Sequence, residues 1–90
     1  MGKRDRLSVI YDILKIIQDN HNSIKPTPLL RKSNLSSQSF AQYFVELIEK
    51  EFVKEVTDKK YKKNISLTEK GFRYLERYQS IIGFIEDFNL

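Results

Sequence analysis

Short polar side chains cluster at residues 36–42, and their spacing matters if this segment is helical. The cluster consists of Ser36, Ser37, Gln38, Ser39 and Gln42. Gln38 and Gln42 are four residues apart, so a helix would place both on the same side. A glutamine amide can form two hydrogen bonds with the edge of an adenine in the major groove of DNA. We interpret the cluster as a surface that contacts bases or phosphates; a solvated helix start is the alternative.

Four lysines surround Tyr61 and form the second cluster. They are Lys59, Lys60, Lys62 and Lys63. An ammonium group that neutralises a DNA phosphate releases counterions, so such contacts make binding strongly dependent on salt. The alternative is a solubilising hairpin tip, because exposed edges often carry lysine. The Tyr61 ring is expected either to pack on a sugar or the minor-groove wall, or to anchor the hairpin.

The distribution of charge separates these clusters from the acidic part of the chain. Sixteen basic and 12 acidic residues give a net charge of +4, which only weakly favours an anionic partner. The stretch between Asn20 and Val45 contains no acid. It contains Arg31 and Lys32, whose other role would be to complement the dipole of a helix that ends there. The acids follow at once, at Glu46, Glu49, Glu51 and Glu55. This segregation indicates a DNA-facing and a DNA-averted side.

Catalytic and metal-binding chemistry finds no support in the sequence. The chain has no cysteine, a single histidine at His21 and three scattered glycines. These exclude a thiolate metal site, a paired histidine and a glycine-rich phosphate loop. We therefore expect no enzyme activity, no cofactor, no metal and no small-molecule substrate. The lack of a long apolar run argues against a membrane segment, and the lack of cysteine favours a cytoplasmic protein.

A helix, a tight turn and a second helix are predicted to position the polar cluster. Thr27 is expected to cap the first of them, with Pro28 at its first position. Ser33 and Asn34 should end it, since Asn tolerates the left-handed conformation of a helix exit. Ser36 or Ser37 then caps the second helix. Its buried face should be formed by Phe40, Phe44, Leu47 and Ile48.

The remaining elements surround this motif. Residues 3–19 are predicted to form a helix with Asp5 in its first turn, and residues 24–26 a short strand. Residues 52–57 and 65–67 alternate in part and are predicted to form a hairpin around a turn at 58–64. Thr68 should cap a last helix. The predicted class is mainly α with a small β-hairpin (α+β).

The last helix carries more apolar surface than a 90-residue core can cover. One row has near-heptad spacing, and a second row widens the apolar face. Exposed, this surface would favour aggregation, so a second copy of the helix is its simplest cover. The interface of the expected homodimer comprises Leu75, Tyr78, Ile82, Ile85 and Phe88. The second row comprises Tyr74, Tyr78, Ile81, Phe84 and Phe88.

Three segments resemble the archaeal winged-helix DNA-binding proteins. They are RDRLSVIYDIL at residues 4–14, NLS at 34–36 and LTEKG at 67–71. The resemblance covers nearly the whole chain. It implies a helix-turn-helix, a two-stranded wing and a C-terminal helix that pairs with a second copy as an antiparallel coiled coil. The helix is short here, because the sequence ends at Leu90.

The sequence therefore predicts a winged helix-turn-helix domain at residues 1–72 and a dimerisation helix at 73–90. The expected partners are double-stranded DNA and a second copy of the chain, and the expected role is transcriptional regulation or chromosome organisation. A winged helix that binds another protein remains the alternative. The residues expected to contact DNA are Arg31, Lys32, Ser36, Ser37, Gln38, Ser39, Gln42, Tyr43, Lys59, Lys60, Tyr61, Lys62 and Lys63.

Overall fold

The computed structural model describes residues 5–90, which form four helices and a two-stranded antiparallel sheet. The helices are α1 (Arg6–Asp19), α2 (Pro26–Ser33), α3 (Ser37–Glu49) and α4 (Glu69–Asp87), and the strands are β1 (Val53–Thr57) and β2 (Lys63–Leu67). The order helix, helix, helix, strand, strand, helix is the one predicted, except that the short strand expected at residues 24–26 is absent. The α+β class with a small hairpin is confirmed.

Helix α1 lies at the centre of the core. Its residues Ile13, Leu14 and Ile17 are completely buried. They recur at three- and four-residue spacing and so form one apolar face, against which α2, β2 and α4 pack. Leu29 of α2 and Leu47 of α3 are also completely buried. The three helices of the predicted domain therefore share a single core with the hairpin.

The start of α1 differs from the prediction. The helix begins at Arg6, and Asp5 is its N-cap instead of a first-turn residue. The Asp5 carboxylate accepts a hydrogen bond of 2.8 Å from the backbone N–H of Ser8, which satisfies one of the free donors at a helix start. The predicted earlier start at residue 3 falls outside the described residues.

The start of α2 also corrects the prediction, since Thr27 is not its cap. The helix begins at Pro26, and the N-cap residue Lys25 makes no side-chain capping bond. Proline already has the φ of a first helical residue, so Pro26 can begin the helix without help from Thr27. At the other end Asn34 has φ 61°, which confirms the predicted left-handed exit.

The hairpin pairs Val53 with Leu67 and Thr57 with Lys63 at its two ends. The short strand predicted before Pro26 is reduced to one bridge, in which Ile24 and Ile65 exchange backbone hydrogen bonds of 3.1 and 2.7 Å. Pro26 begins a helix directly afterwards, so the extended run cannot lengthen. One buried residue, Ile24, is enough to fix the loop on the sheet.

The start of α4 is fixed against the beginning of β1. Thr68 caps the helix as predicted, because its Oγ accepts a hydrogen bond from the Gly71 N–H. The same hydroxyl donates to the Glu51 carbonyl at 2.6 Å. A side chain at Gly71 would place its Cβ 2.3 Å from the Phe52 carbonyl oxygen. Glycine is therefore required by this close approach, and not by an unusual backbone angle.

Helix α4 leaves the core part-way along its length. Leu75 is only 2% exposed, so its own chain covers it and its place in the predicted dimer interface is wrong. Tyr78 stacks on Tyr11 with ring centroids 4.6 Å apart. From Ile81 onward the large apolar side chains are exposed. The described part of the chain consequently measures 49 × 26 × 22 Å.

None of the helices in residues 5–90 combines the length and the hydropathy of a membrane-spanning segment.

Candidate nucleic-acid interface

The turn between α2 and α3 is tightened by two serines. Ser33 is buried and donates a hydrogen bond of 2.6 Å to the Leu30 carbonyl, while its Oγ accepts one from the Leu35 N–H. Ser36, and not Ser37, is the N-cap of α3, and its hydroxyl accepts a hydrogen bond of 3.1 Å from the Ser39 N–H. These bonds fix where α3 starts and therefore which of its side chains face outward.

The outward side of α3 is polar and uncharged at its start. Ser37, Gln38 and Gln42 are exposed, whereas Ser39 is half-buried. The opposite side is held in the core by Phe40 and Leu47, and the Phe40 ring stacks on Phe44. Tyr43 is half-buried and packs against the core. Only part of the Tyr43 ring is therefore available to a partner.

The acid nearest to this polar side is neutralised. Glu46 lies beside Gln42 and Tyr43 and is ion-paired to Arg6 of α1. The Arg6 guanidinium engages both carboxylate oxygens, and Lys50 lies 4.0 Å away. A two-point pair of this kind fixes geometry as well as charge. The sequence had assigned Arg6 no role, because its partner is 40 residues away.

Two further basic candidates lie at the end of α2. Arg31 and Lys32 occupy its last turn, and both are exposed. Cations there also favour the negative end of the helix dipole, so their position alone does not distinguish the two roles. They lie just before Ser33 and Asn34 and so flank the turn that leads into α3.

The connection between β1 and β2 is a compact turn built on Asp58. The Tyr61 N–H donates to the Asp58 carbonyl at 3.0 Å, and the Asp58 N–H donates to the Lys62 carbonyl at 2.9 Å. The Asp58 carboxylate accepts hydrogen bonds from the N–H groups of Lys60 and Lys62, at 2.8 and 2.9 Å. Aspartate favours the first position of such turns for this reason. Hydrogen bonds from the Lys62 and Lys60 amides hold the pKa of Asp58 below its ordinary value.

The lysines of this turn are displayed to solvent. Lys59, Lys60, Lys62 and Lys63 are all exposed, and only Lys63 approaches an acid, Glu55, at 4.0 Å. Tyr61 is 90% exposed with φ 61°. Its ring therefore does not anchor the hairpin, which removes the alternative role considered for it. The sequence gives no sign of the strained backbone at Tyr61.

An apolar groove separates the start of α1 from α4. It has a volume of about 440 Å³ and is lined by Leu7, Phe52, Lys70, Arg73, Tyr74, Arg77, Tyr78 and Ile81. The Tyr74 hydroxyl donates to the Leu7 carbonyl at 2.7 Å, and burial raises the pKa of Tyr74 to about 12. Lys70 lies over the Phe52 ring, 5.0 Å from its centroid. The exposed side chains of Ile81, Phe84 and Phe88 continue the groove along α4.

Metal-binding clusters are not part of this surface. Within residues 5–90 no group of three or more histidine or acidic side chains has a spacing that could hold a metal ion.

Comparison with protein families identifies the architecture. The model of the winged helix-turn-helix family matches residues 3–86. The chain belongs to this family. In its terms α2 and α3 form the helix-turn-helix, and β1, β2 and the turn between them form the wing.

One relative in sequence and two solved structures with a similar fold can be compared with this chain. The chain is 31% identical over 83 residues to the uncharacterized protein MJ0290 of Methanocaldococcus jannaschii, and spans 36% of that protein's length. Its fold is similar to that of Sso10a-2, a DNA-binding protein from Sulfolobus solfataricus, with a TM-score of 0.74, 17% identity and coverage of 96% of this chain and 86% of the other. F93 from STIV, a winged-helix DNA-binding protein, gives a TM-score of 0.73 at 22% identity, with coverage of 89% of this chain and 91% of the other.

Two residues of the winged helix have roles that the sequence did not predict. Lys25 lies within 3.7 Å of Asp58 Oδ2 and 3.5 Å of Asn64 Oδ1, so it joins the wing to the start of α2. Asp58 organises the wing itself. The aspartate that opens a lysine-rich turn was a usable signal. The contact between Asp58 and Lys25 could not be predicted from the sequence, because it depends on tertiary structure.

Proposed function

We propose that this chain binds duplex DNA, with the start of α3 in the major groove and the wing on the phosphate backbone. The observation that carries this is the segregation of charge on the folded chain. The outward start of α3 is polar and acid-free, and the four lysines of the wing are exposed. Glu46, an acid further along α3, is ion-paired to Arg6. In helix-turn-helix proteins the N-terminal residues of the second helix reach base edges.

The two structural neighbours support this proposal by their own activity. Sso10a-2 and F93 are both described as DNA-binding proteins. The stretch from α2 through Val45 of α3 contains no acid, which supports the same activity in this chain, because a surface that approaches phosphates cannot carry unpaired carboxylates without a penalty. A winged helix that binds another protein has no need of such a segregation, which places that alternative second.

The wing provides the direct experiment. Replacing Lys59, Lys60, Lys62 and Lys63 with alanine should weaken binding to a duplex. It should also reduce the magnitude of the slope of log K against log salt, by up to about 0.9 for each lost phosphate contact. Fluorescence anisotropy of a labelled duplex at several salt concentrations measures both quantities.

A charge-matched pair of variants separates the wing from net charge. Lys60→Ala with Lys62→Ala removes two charges from the wing, and Lys15→Ala with Lys50→Ala removes two charges from α1 and the end of α3. The first pair should lower the slope by more than the second. Equal slopes in all variants and in the wild type would mean that the wing does not touch the backbone.

We further propose that α4 forms a homodimer interface. The support is the exposed apolar row of Ile81, Phe84 and Phe88, together with the groove that it continues. Tyr78 is partly covered by Tyr11, whereas Ile82, Ile85 and Phe88 of the expected interface are exposed. The dimerisation segment would thus begin near residue 81 and not at residue 73, since residues such as Leu75 already belong to the core. A solvent-exposed row of this kind is normally covered in solution.

The cellular role divides into regulation of transcription and organisation of the chromosome. A footprint on genomic DNA distinguishes the two. Protection of a discrete palindromic site means a regulator, because a symmetric dimer reads two related half-sites. Uniform coverage without a preferred site means an architectural protein.

A further inference from the structure

Asp58 is an acid in the middle of a surface that would bind phosphates. Its carboxylate accepts hydrogen bonds from the Lys60 and Lys62 backbone amides and from Asn64 Nδ2, the last at 3.3 Å. These three bonds close the turn around one side chain. They also set the positions from which the lysine side chains of the turn extend.

The same carboxylate holds a lysine from another element. Lys25 Nζ lies 3.7 Å from Asp58 Oδ2, and its second contact is Asn64 Oδ1 at 3.5 Å. Lys25 is the residue directly before α2. Asp58 therefore brings together lysines from two elements, the wing and the start of α2.

These residues surround one open cavity. Its volume is about 440 Å³, and it is lined by Lys25, Asp58, Lys59, Lys60 and Lys62. Four ammonium groups and one carboxylate leave an excess of three positive charges at neutral pH. The Asp58 carboxylate acts on the two sides of the cavity in different ways: it pairs with the Lys25 ammonium group at 3.7 Å, and it holds Lys60 and Lys62 through their backbone amides.

We propose that this cavity is a cradle for a backbone phosphate of duplex DNA, and that Asp58 is the positioning residue that assembles it. The inference rests on the proposed function and adds Lys25 and Asp58 to the interface. Counting charges alone gives the opposite expectation for Asp58, because removing an acid from a DNA-facing surface should strengthen binding. The cradle predicts weaker binding, since the turn loses its acceptor and Lys25 loses its partner.

The experiment measures binding of a labelled duplex at several salt concentrations to the full chain and to Asp58→Ala, Asp58→Asn and Lys25→Ala. Asp58→Ala should weaken binding about fivefold to tenfold near 0.1 M salt, the effect of losing one phosphate contact, and should lower the slope magnitude by about 0.9 or more. Asp58→Asn keeps a side-chain oxygen for the loop amides and should recover part of the affinity. Lys25→Ala should lower the magnitude of the salt slope by a similar amount in the wild-type chain. The same substitution should have a smaller effect on the slope when Asp58→Ala is already present.

A matched acid serves as the control. Glu55 lies on β1 and pairs with Lys63, but it accepts none of the hydrogen bonds that close the turn. Glu55→Gln should leave binding unchanged or strengthen it. If Asp58→Ala also strengthens binding with an undiminished slope, Asp58 is only a repelling charge and the cradle is wrong.

The failures of the two proposals can be told apart. A wild-type chain that does not bind DNA overturns the proposed function. Wild-type binding with an unchanged slope in Lys25→Ala overturns the cradle alone. Lys25 lies outside the turn, so this variant remains decisive even if Asp58→Ala disturbs folding, which circular dichroism would reveal.

Discussion

Tyr61 is the residue whose conformation and exposure are hardest to explain by stability. A non-glycine residue at φ 61° is strained, and a ring that is 90% exposed gains little by packing within the chain. Both features are understandable if the ring contacts a partner. At the tip of a wing that partner would be a sugar or the wall of a groove.

Tyr61→Asn should separate these effects. Asparagine accepts the left-handed conformation, so the free energy of unfolding should not fall by more than about 0.5 kcal/mol. Affinity for duplex DNA should fall, because the aromatic contact is lost. Urea unfolding and anisotropy titrations measure the two quantities. Unchanged affinity would show that Tyr61 does not contact the DNA.

Gly71 belongs to the LTEKG segment that carried the family resemblance, and the structure explains why it is glycine. A Cβ there would lie 2.3 Å from the Phe52 carbonyl oxygen, which is backbone and cannot simply move away. The glycine therefore allows α4 to approach the start of β1. The threonine of the same segment caps the helix and bonds to Glu51, so the segment as a whole fixes α4 against the connection between α3 and β1.

Gly71→Ala should lower the free energy of unfolding by about 1–3 kcal/mol, because overpacking outweighs the gain in helix propensity. Gly83→Ala is the matched control on the same helix, where an added Cβ meets nothing within 4 Å. That variant should gain up to about 1 kcal/mol from propensity. Urea unfolding at a fixed protein concentration gives both values. A stable Gly71→Ala variant would contradict the close approach.

At the scale of the elements, α3 is proposed to read the bases. Gln38→Ala and Gln42→Ala should reduce discrimination between a preferred and a scrambled duplex by about 1–3 kcal/mol for each lost two-point contact, with little change in the salt slope. Competition titrations with the two duplexes measure this. Gln18→Ala, an exposed glutamine on α1, is the control. If the footprint and the affinity survive both changes in α3, another element must read the sequence.

The elements were largely predictable because their signals are local. Asn34, Ser36 and Thr68 mark helix ends through their own backbone chemistry, and each was predicted as an end or a possible cap. The start of α2 was missed because two prolines and Thr27 offered competing starts. Local periodicity also predicted the two apolar rows of α4, but not the position along the helix at which the core stops covering them.

The functional surface was less predictable, since its organisation is not local. The lysines and the polar start of α3 are visible in the sequence. The pairing of Arg6 with Glu46, and of Lys25 with Asp58, joins residues far apart along the chain. Burial of Leu75 follows from how α4 packs on α1, which the spacing of apolar residues cannot decide.

For the whole molecule, the exposed end of α4 leads to the proposal of a dimer. Phe84→Asp with Phe88→Asp would put charge into the exposed row and should give a monomer of 10.7 kDa in sedimentation, where the wild type should give twice that mass. Gln79→Glu places a charge on the opposite side of α4, keeps the length of a side chain that bonds to the Tyr11 hydroxyl, and should leave the dimer intact. A wild-type chain that is monomeric at tens of micromolar would contradict the proposal.

The most direct test of DNA binding is the salt dependence of the wild-type chain on a duplex of about 30 base pairs, long enough to hold three helical turns. Seven basic residues are proposed to face the backbone: Lys25, Arg31, Lys32, Lys59, Lys60, Lys62 and Lys63. For each chain that engages the duplex, contacts of this number predict that affinity falls about 10³- to 10⁵-fold between 50 and 200 mM salt, linearly in log K against log salt. Absence of saturable binding at 50 mM salt, or a fall of less than about tenfold, would contradict the account.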